Sequence, residues 1–148
     1  MKNSIHGFSS DEVMDLYHYL CIYEKELAKI ESQVNLINKY PKLKDIEQLM
    51  AGIVCNFCTK ESMKVIGLVP MDNLISMTKS RSSKSLSFLN HLRNSIAHGQ
   101  IEKDGDFIYL LDYGYDKDNS KVFSARGMIK SSSLFKIVKL INNNINLL

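Results

Sequence analysis

Apolar positions recur at three- and four-residue intervals along most of this chain, and the pattern changes in one short region near its end. Ser9-Ser10-Asp11-Glu12 has the Ser-x-x-Glu form of a helix capping box. Behind it Val13, Leu16, Tyr17, Leu20, Tyr23, Leu27, Ile30, Val34 and Ile37 make one stripe, which predicts a long amphipathic helix. It should end near Lys39-Tyr40, because Pro41 disfavours helix in the residue before it. Residues 1–8 read as a loose lead-in. A second helix is predicted over about 43–64, with Ile46, Leu49, Met50, Ile53, Phe57 and Met63 inward, before Gly67 and Pro70 break the chain. A third starts near Met71 or Asp72 and reaches His98. Its serine-rich centre divides it into two helical pieces near 80–83, since serine hydroxyls compete with helical hydrogen bonds.

After Gly99 the character changes. Asp104-Gly105 is a turn signal, and Asp106-Phe107-Ile108-Tyr109-Leu110-Leu111-Asp112-Tyr113 is short, aromatic and branched, as a strand is. Lys121-Val122-Phe123-Ser124-Ala125-Arg126 is its predicted partner across the polar loop 116–120, and Ile101 adds a short third strand. A last helix is capped by Ser131, Ser132 or Ser133, with Leu134, Ile137, Val138, Ile141 and Ile145 inward. The expected fold is therefore mainly α: one domain over 1–148, an up-and-down bundle of four to five helices with a small β-hairpin inserted before the last.

Bulk properties restrict this picture little. A formal charge of +3 and a pI near 8.7 tolerate a polyanionic partner without demanding one. No apolar run approaches the ~18 residues of a membrane helix, and the N-terminus lacks the apolar stretch of a signal peptide. Three cysteines, an odd number, suit a reducing compartment, so a cytoplasmic location is expected. Cys55-Asn56-Phe57-Cys58 is half a zinc site at most, and it is read as small apolar residues within a helix. No metal or cofactor site is expected. The loop 116–120 lacks the central Gly and closing Glu of a calcium loop.

The chemistry concentrates at the end of the third helix. Phe88, Leu89, Leu92 and Ile96 form an apolar stripe, while Asn90, His91, Arg93, Asn94 and His98 lie on the other side, on a face the core does not need. Asn94 and His98 are one turn apart, and Gly99 sits where a helix commonly ends in a left-handed residue. An imidazole can accept a proton from a ribose 2′-hydroxyl or return one to the leaving 5′-oxygen. A guanidinium can hold the scissile phosphate through paired hydrogen bonds. The structural alternative is a surface ion pair at Arg93 and a helix-end histidine at His98.

Arg93-Asn94-Ser95-Ile96-Ala97-His98 resembles the Arg-polar-x-x-x-His signature of the HEPN superfamily, with the likeness carried by residues 88–101. That resemblance implies a helical bundle and a metal-independent endoribonuclease of the toxin–antitoxin, plasmid or antiviral kind. His98 would be the acid/base group, Arg93 the phosphate clamp and Asn94 the positioning residue. It further implies a homodimer with two motifs facing one cleft, RNA as substrate and a possible antitoxin protein as partner; neither membrane nor DNA is expected. The alternative within the same resemblance is a non-catalytic RNA-binding or partner-binding module. Lys79, Arg81, Lys84 and His91 are secondary candidates for holding RNA, or simply a solvated face. Tyr109, Tyr113 and Tyr115 either stack on bases or serve packing.

Overall fold

The computed structural model describes residues 6–65 and 73–147. Helix α1 (Ser10–Lys25) leads into a 3-10 turn (Leu27–Lys29) and α2 (Gln33–Lys39). A second 3-10 turn (Pro41–Asp45) runs into α3 (Ile46–Met50), then β1 (Val54–Phe57) and α4 (Lys60–Val65). Strand β2 (Leu74–Met77) precedes α5 (Lys84–Ala97), β3 (Ile101–Asp104), β4 (Phe107–Tyr115), β5 (Lys121–Lys130) and α6 (Ser131–Asn144). Among the described residues the strands form one mixed sheet in the order β1-β2-β5-β4-β3, parallel between β1 and β2 and antiparallel elsewhere.

This is an α/β fold, and the expected mainly-α helix bundle is wrong. The hairpin, its polar loop and the short strand at Ile101 are present, but they supply three strands of a five-stranded sheet. The other two strands lie in stretches whose spacing predicts helix. In 43–64, Leu49, Met50, Ile53 and Phe57 have helical spacing, yet Gly52 interrupts and Val54–Phe57 pairs with β2 in register Val54↔Leu74. The piece expected as helix before Ser80 is instead β2, whose buried apolar run is hydrogen-bonded on both edges. Its predicted start at Met71 or Asp72, like the breaks at Gly67 and Pro70 and residues 1–5 of the lead-in, lies outside the described residues.

The long first helix is also divided. The Ser9–Glu12 capping box is formed reciprocally, with Ser9 N–H to Glu12 Oε1 at 2.9 Å and Glu12 N–H to Ser9 Oγ at 3.2 Å. The helix stops at Lys25, because the Arg81 guanidinium binds the carbonyls of Ala28 and Ile30, which a continuous helix would use internally. Ser32 then caps α2. The expected break near Ser80 holds, and Ser83 caps α5 through Leu86 N–H at 3.1 Å. Of the serines expected to cap the last helix, none does so; Ser131 is its first residue. The lead-in is not loose from Phe8 onward: Phe8 is buried edge-on against Phe135, and the His6 carbonyl accepts the Lys103 N–H.

The inner face of the sheet carries Ile75, Met77, Ile108, Leu110, Ala125 and Ile129. Gly127 lies between them because a Cβ there would come within 2.8 Å of the Ile75 Cβ and the Leu74 carbonyl oxygen. Helix α5 packs on this face against β4, β2 and β1, with α1 across its other side. So α5 is enclosed: Ser85, Ser87, His91 and Ser95 are buried along with Leu86, Phe88, Leu89, Leu92 and Ile96. The polar side of this helix is therefore not spare over most of its length, contrary to its sequence pattern.

Candidate functional site

The predicted trio divides in two. Arg93 and Asn94 are joined, the Arg93 NH1 donating to Asn94 Oδ1 at 2.9 Å. Asn94 Nδ2 donates in turn to Asp112 Oδ2 at 3.0 Å, and the same oxygen receives His91 Nδ1 at 2.8 Å. His91 Nε2 lies 2.8 Å from the Thr78 carbonyl oxygen. At the outer end, Arg93 Nε is bound by Glu24 of α1. A continuous polar chain thus runs from Glu24 at the surface through buried His91 to the half-buried Thr78.

His91, expected on the polar arc as a solvated or assisting group, is 1% exposed and built into this chain. Both ring nitrogens lie within hydrogen-bond distance of oxygen atoms, Nδ1 of the Asp112 carboxyl and Nε2 of the Thr78 carbonyl, so the ring is fixed from both sides. Asp112 is itself buried, 7% exposed. A bulge lies at this point. Asp112 pairs with Ala125 but Tyr113 pairs with Phe123, leaving Ser124 as the extra residue. The Ser124 carbonyl accepts the Thr78 N–H at 2.8 Å, which positions the carbonyl that His91 uses.

His98 is apart from this chain. It caps α5 with φ −98° and ψ 4°, and its side chain is exposed. Gly99 follows at φ +66°; its N–H bonds the Ile96 carbonyl at 3.2 Å, and the Gln100 N–H reaches the Ser95 carbonyl at 2.7 Å. Those two bonds are a Schellman motif, and they match the left-handed helix end expected of Gly99. Among the described residues no hydrogen bond engages the His98 ring, so its nitrogens face solvent at the carbonyl end of a helix dipole. Beyond Gly99 a cavity of about 170 Å³ opens, lined by His6, Gln100, Tyr109, Leu111 and Tyr113. Gln100 mimics a strand residue there, its side-chain amide bonding the Tyr113 N–H at 3.0 Å and the Tyr113 carbonyl at 3.3 Å.

The secondary candidates are not gathered around His98. Lys84 begins α5 and His98 caps its other end, about 20 Å away for 14 helical residues. The Lys84 ammonium lies 5.8 Å from the centre of the Phe57 ring. Arg81 is committed to the interior: besides the two carbonyls it binds the Tyr23 hydroxyl at 2.7 Å, and that hydroxyl donates to Asn90 at 3.0 Å. Lys79 is exposed. Cys55, expected in a helix, lies within β1 and Cys58 directly follows it, and both are half-buried free thiols. Burial pushes the Cys55 thiol up to about 11, with Lys84 opposing and Glu47 adding to the rise.

Asp112 and Glu24 were missed from the sequence. Asp112 carried a signal, a lone carboxylate within an aromatic and branched strand, where only a paired acid is tolerated inside. Glu24 carried none, being one acid among many on a helix surface. No family model, no curated protein and no solved structure matches this chain.

Proposed function

We propose that this protein is a metal-independent endoribonuclease that cleaves RNA by attack of the ribose 2′-hydroxyl, leaving a 2′,3′-cyclic phosphate. What supports it is one observation: a guanidinium held from two sides and an unengaged, exposed imidazole lie five residues apart at the end of one helix. His98 acts as the acid/base group, since its nitrogens are accessible to a substrate proton. Arg93 binds the phosphate, aimed by Glu24 and Asn94. The resemblance to HEPN proteins adds the reaction type, a homodimer that brings two such pairs to one cleft, and a toxin or defence role with an antitoxin partner; the three cysteines add a cytoplasmic setting. The resemblance does not extend to the fold, so the reading rests on the site alone. No helix among the described residues is long and apolar enough to cross a membrane.

A second reading is a non-catalytic RNA- or partner-binding module. The Glu24 carboxylate favours it, because it offsets the Arg93 charge that a phosphate would seek. Incubating single-stranded RNA in EDTA with wild type, His98→Ala and Arg93→Ala decides between them. The ribonuclease reading expects cyclic-phosphate ends from wild type and at least a ~100-fold loss in each variant. Equal cleavage by all three, or cleavage abolished by EDTA, overturns it. RNA bound but uncut by wild type supports the second reading.

A further inference from the structure

The outer face of the sheet is covered unevenly. Helix α4 packs against β5, whereas the extensive helix packing on β4 is from α5 on the inner face, and β3 has no helix packed extensively on it among the described residues. Alternation along β4 therefore places Tyr109, Leu111 and Tyr113 in a half-exposed row on the outer side, while Ile108, Leu110 and Asp112 point inward. At the far end of the row, Tyr113 meets Tyr115 and Phe123 with ring centres 5.9 Å and 5.3 Å away, and Tyr115 is 61% exposed. Cations lie among these rings: Lys121 Nζ is 4.5 Å from the Tyr113 ring centre, and the Arg126 guanidinium carbon is 4.3 Å from that of Phe123. The cavity beside Gly99, one residue from His98, runs alongside this row and is lined by Tyr109, Leu111 and Tyr113 themselves.

We infer that the outer face of β4 is a stacking platform for single-stranded RNA, with Tyr109 and Tyr113 as its base-stacking rings and the cavity beside Gly99 holding the base next to the cut. This rests on the ribonuclease reading for its direction toward His98, but the platform is a binding site in its own right. The occupant is argued from three features. Tyr109 and Tyr113, about 13 Å apart on one strand face with Leu111 between them, offer flat and apolar surface to unstacked bases of any sequence. Lys121 supplies positive charge where a phosphate backbone would pass, which an apolar protein partner would not need. A cavity of about 170 Å³ admits one flat ring and no paired duplex, and the exposed Glu102 on its rim offers a carboxylate to a base amino group.

Fluorescence anisotropy with a labelled single-stranded RNA of about ten nucleotides tests this on the full chain carrying His98→Ala, so that nothing is cut. Tyr109→Leu and Tyr113→Leu should each weaken binding roughly tenfold. Lys121→Glu should weaken it severalfold and flatten its salt dependence. Val34→Ser, at an exposed position on α2, should leave it unchanged. Thermal melts check that each variant folds, and Lys121→Glu, at an exposed position, keeps the test open if a tyrosine variant does not. Wild-type affinity in both tyrosine variants overturns the inference, as does tighter binding of duplex than of single-stranded RNA. Loss of self-association in Tyr109→Leu with RNA affinity unchanged also overturns it, in favour of a protein-contact face. Tyrosine-dependent binding by a protein that never cuts RNA sustains the platform and removes only the ribonuclease. Cutting that ignores both tyrosines, with KM unchanged, removes only the platform.

Discussion

His91 and His98 lie seven residues apart on α5, and at 3.6 residues per turn they point within about 20° of each other. Their surroundings are opposite. His91 is sealed between α5 and the sheet with both nitrogens engaged; His98 is exposed with neither engaged among the described residues. Direction on a helix is therefore not what makes a histidine structural or available. What matters is what the rest of the fold brings to that direction. At the level of His91, β4 presents Asp112 and the end of β2 presents Thr78. At the level of His98 the helix stops, and the Schellman turn at Gly99 carries the chain away before the sheet can close over the ring.

The largest expected effect breaks the buried half of this comparison. His91→Ala strips Asp112 of its buried partner inside the fold, so the unfolding free energy in urea should fall by about 3–5 kcal/mol. His98→Ala should change it by less than about 0.5 kcal/mol, because the side chain is exposed. A similar loss in both would dissolve the distinction. Next is the catalytic half: His98→Ala should cut RNA cleavage at least ~100-fold, about 2.7 kcal/mol in the barrier, with the melting curve unmoved.

Two glycines sharpen the contrast between crowded and open. Gly127→Ala forces a Cβ into the β2 backbone and should cost about 1–3 kcal/mol in urea denaturation. Gly99→Ala meets no atom within 4 Å, so it should cost only the left-handed strain, about 1 kcal/mol. The smallest effect concerns the thiols. Burial raises Cys55 to about 11, and the thiolate is the reactive form. At pH 8 iodoacetamide should modify the exposed Cys21 well before Cys55, whose reaction should keep accelerating beyond pH 10. Equal rates at pH 8, followed by mass spectrometry, would show that β1 is not held against its neighbours.

Legibility followed the range of the interactions involved. The capping box at Ser9, the break before Ser83, the helix end at Gly99 and the hairpin across 116–120 each depend on residues a few positions apart, and each was readable. The strands β1 and β2 were not. Each is four residues long, too short for periodicity to separate strand from helix, and each acquires its hydrogen bonds from a partner far along the chain. The break after α1 was invisible for the same reason, since the stripe from Val13 to Ile37 is unbroken while Arg81 comes from the far side of the sequence. At the site, Arg93 next to Asn94 was readable as a polar pair. Its coupling through Asp112 to His91 was not, because that carboxylate comes from β4.

Taken by itself, the amino-acid sequence determined the local geometry: where α5 begins and ends, which residues share its faces, and that an arginine, an asparagine and a histidine crowd its last two turns. Backbone hydrogen bonds within a turn and the steric rules for Gly, Ser and Pro are enough for that. Tertiary structure alone decided that the chain is an α/β fold rather than a bundle, that α5 is enclosed on two sides, and that His91 is a buried, fully engaged histidine while His98 remains open. Those outcomes depend on sheet pairing and burial between segments tens of residues apart, and no property of either segment alone specifies its partner.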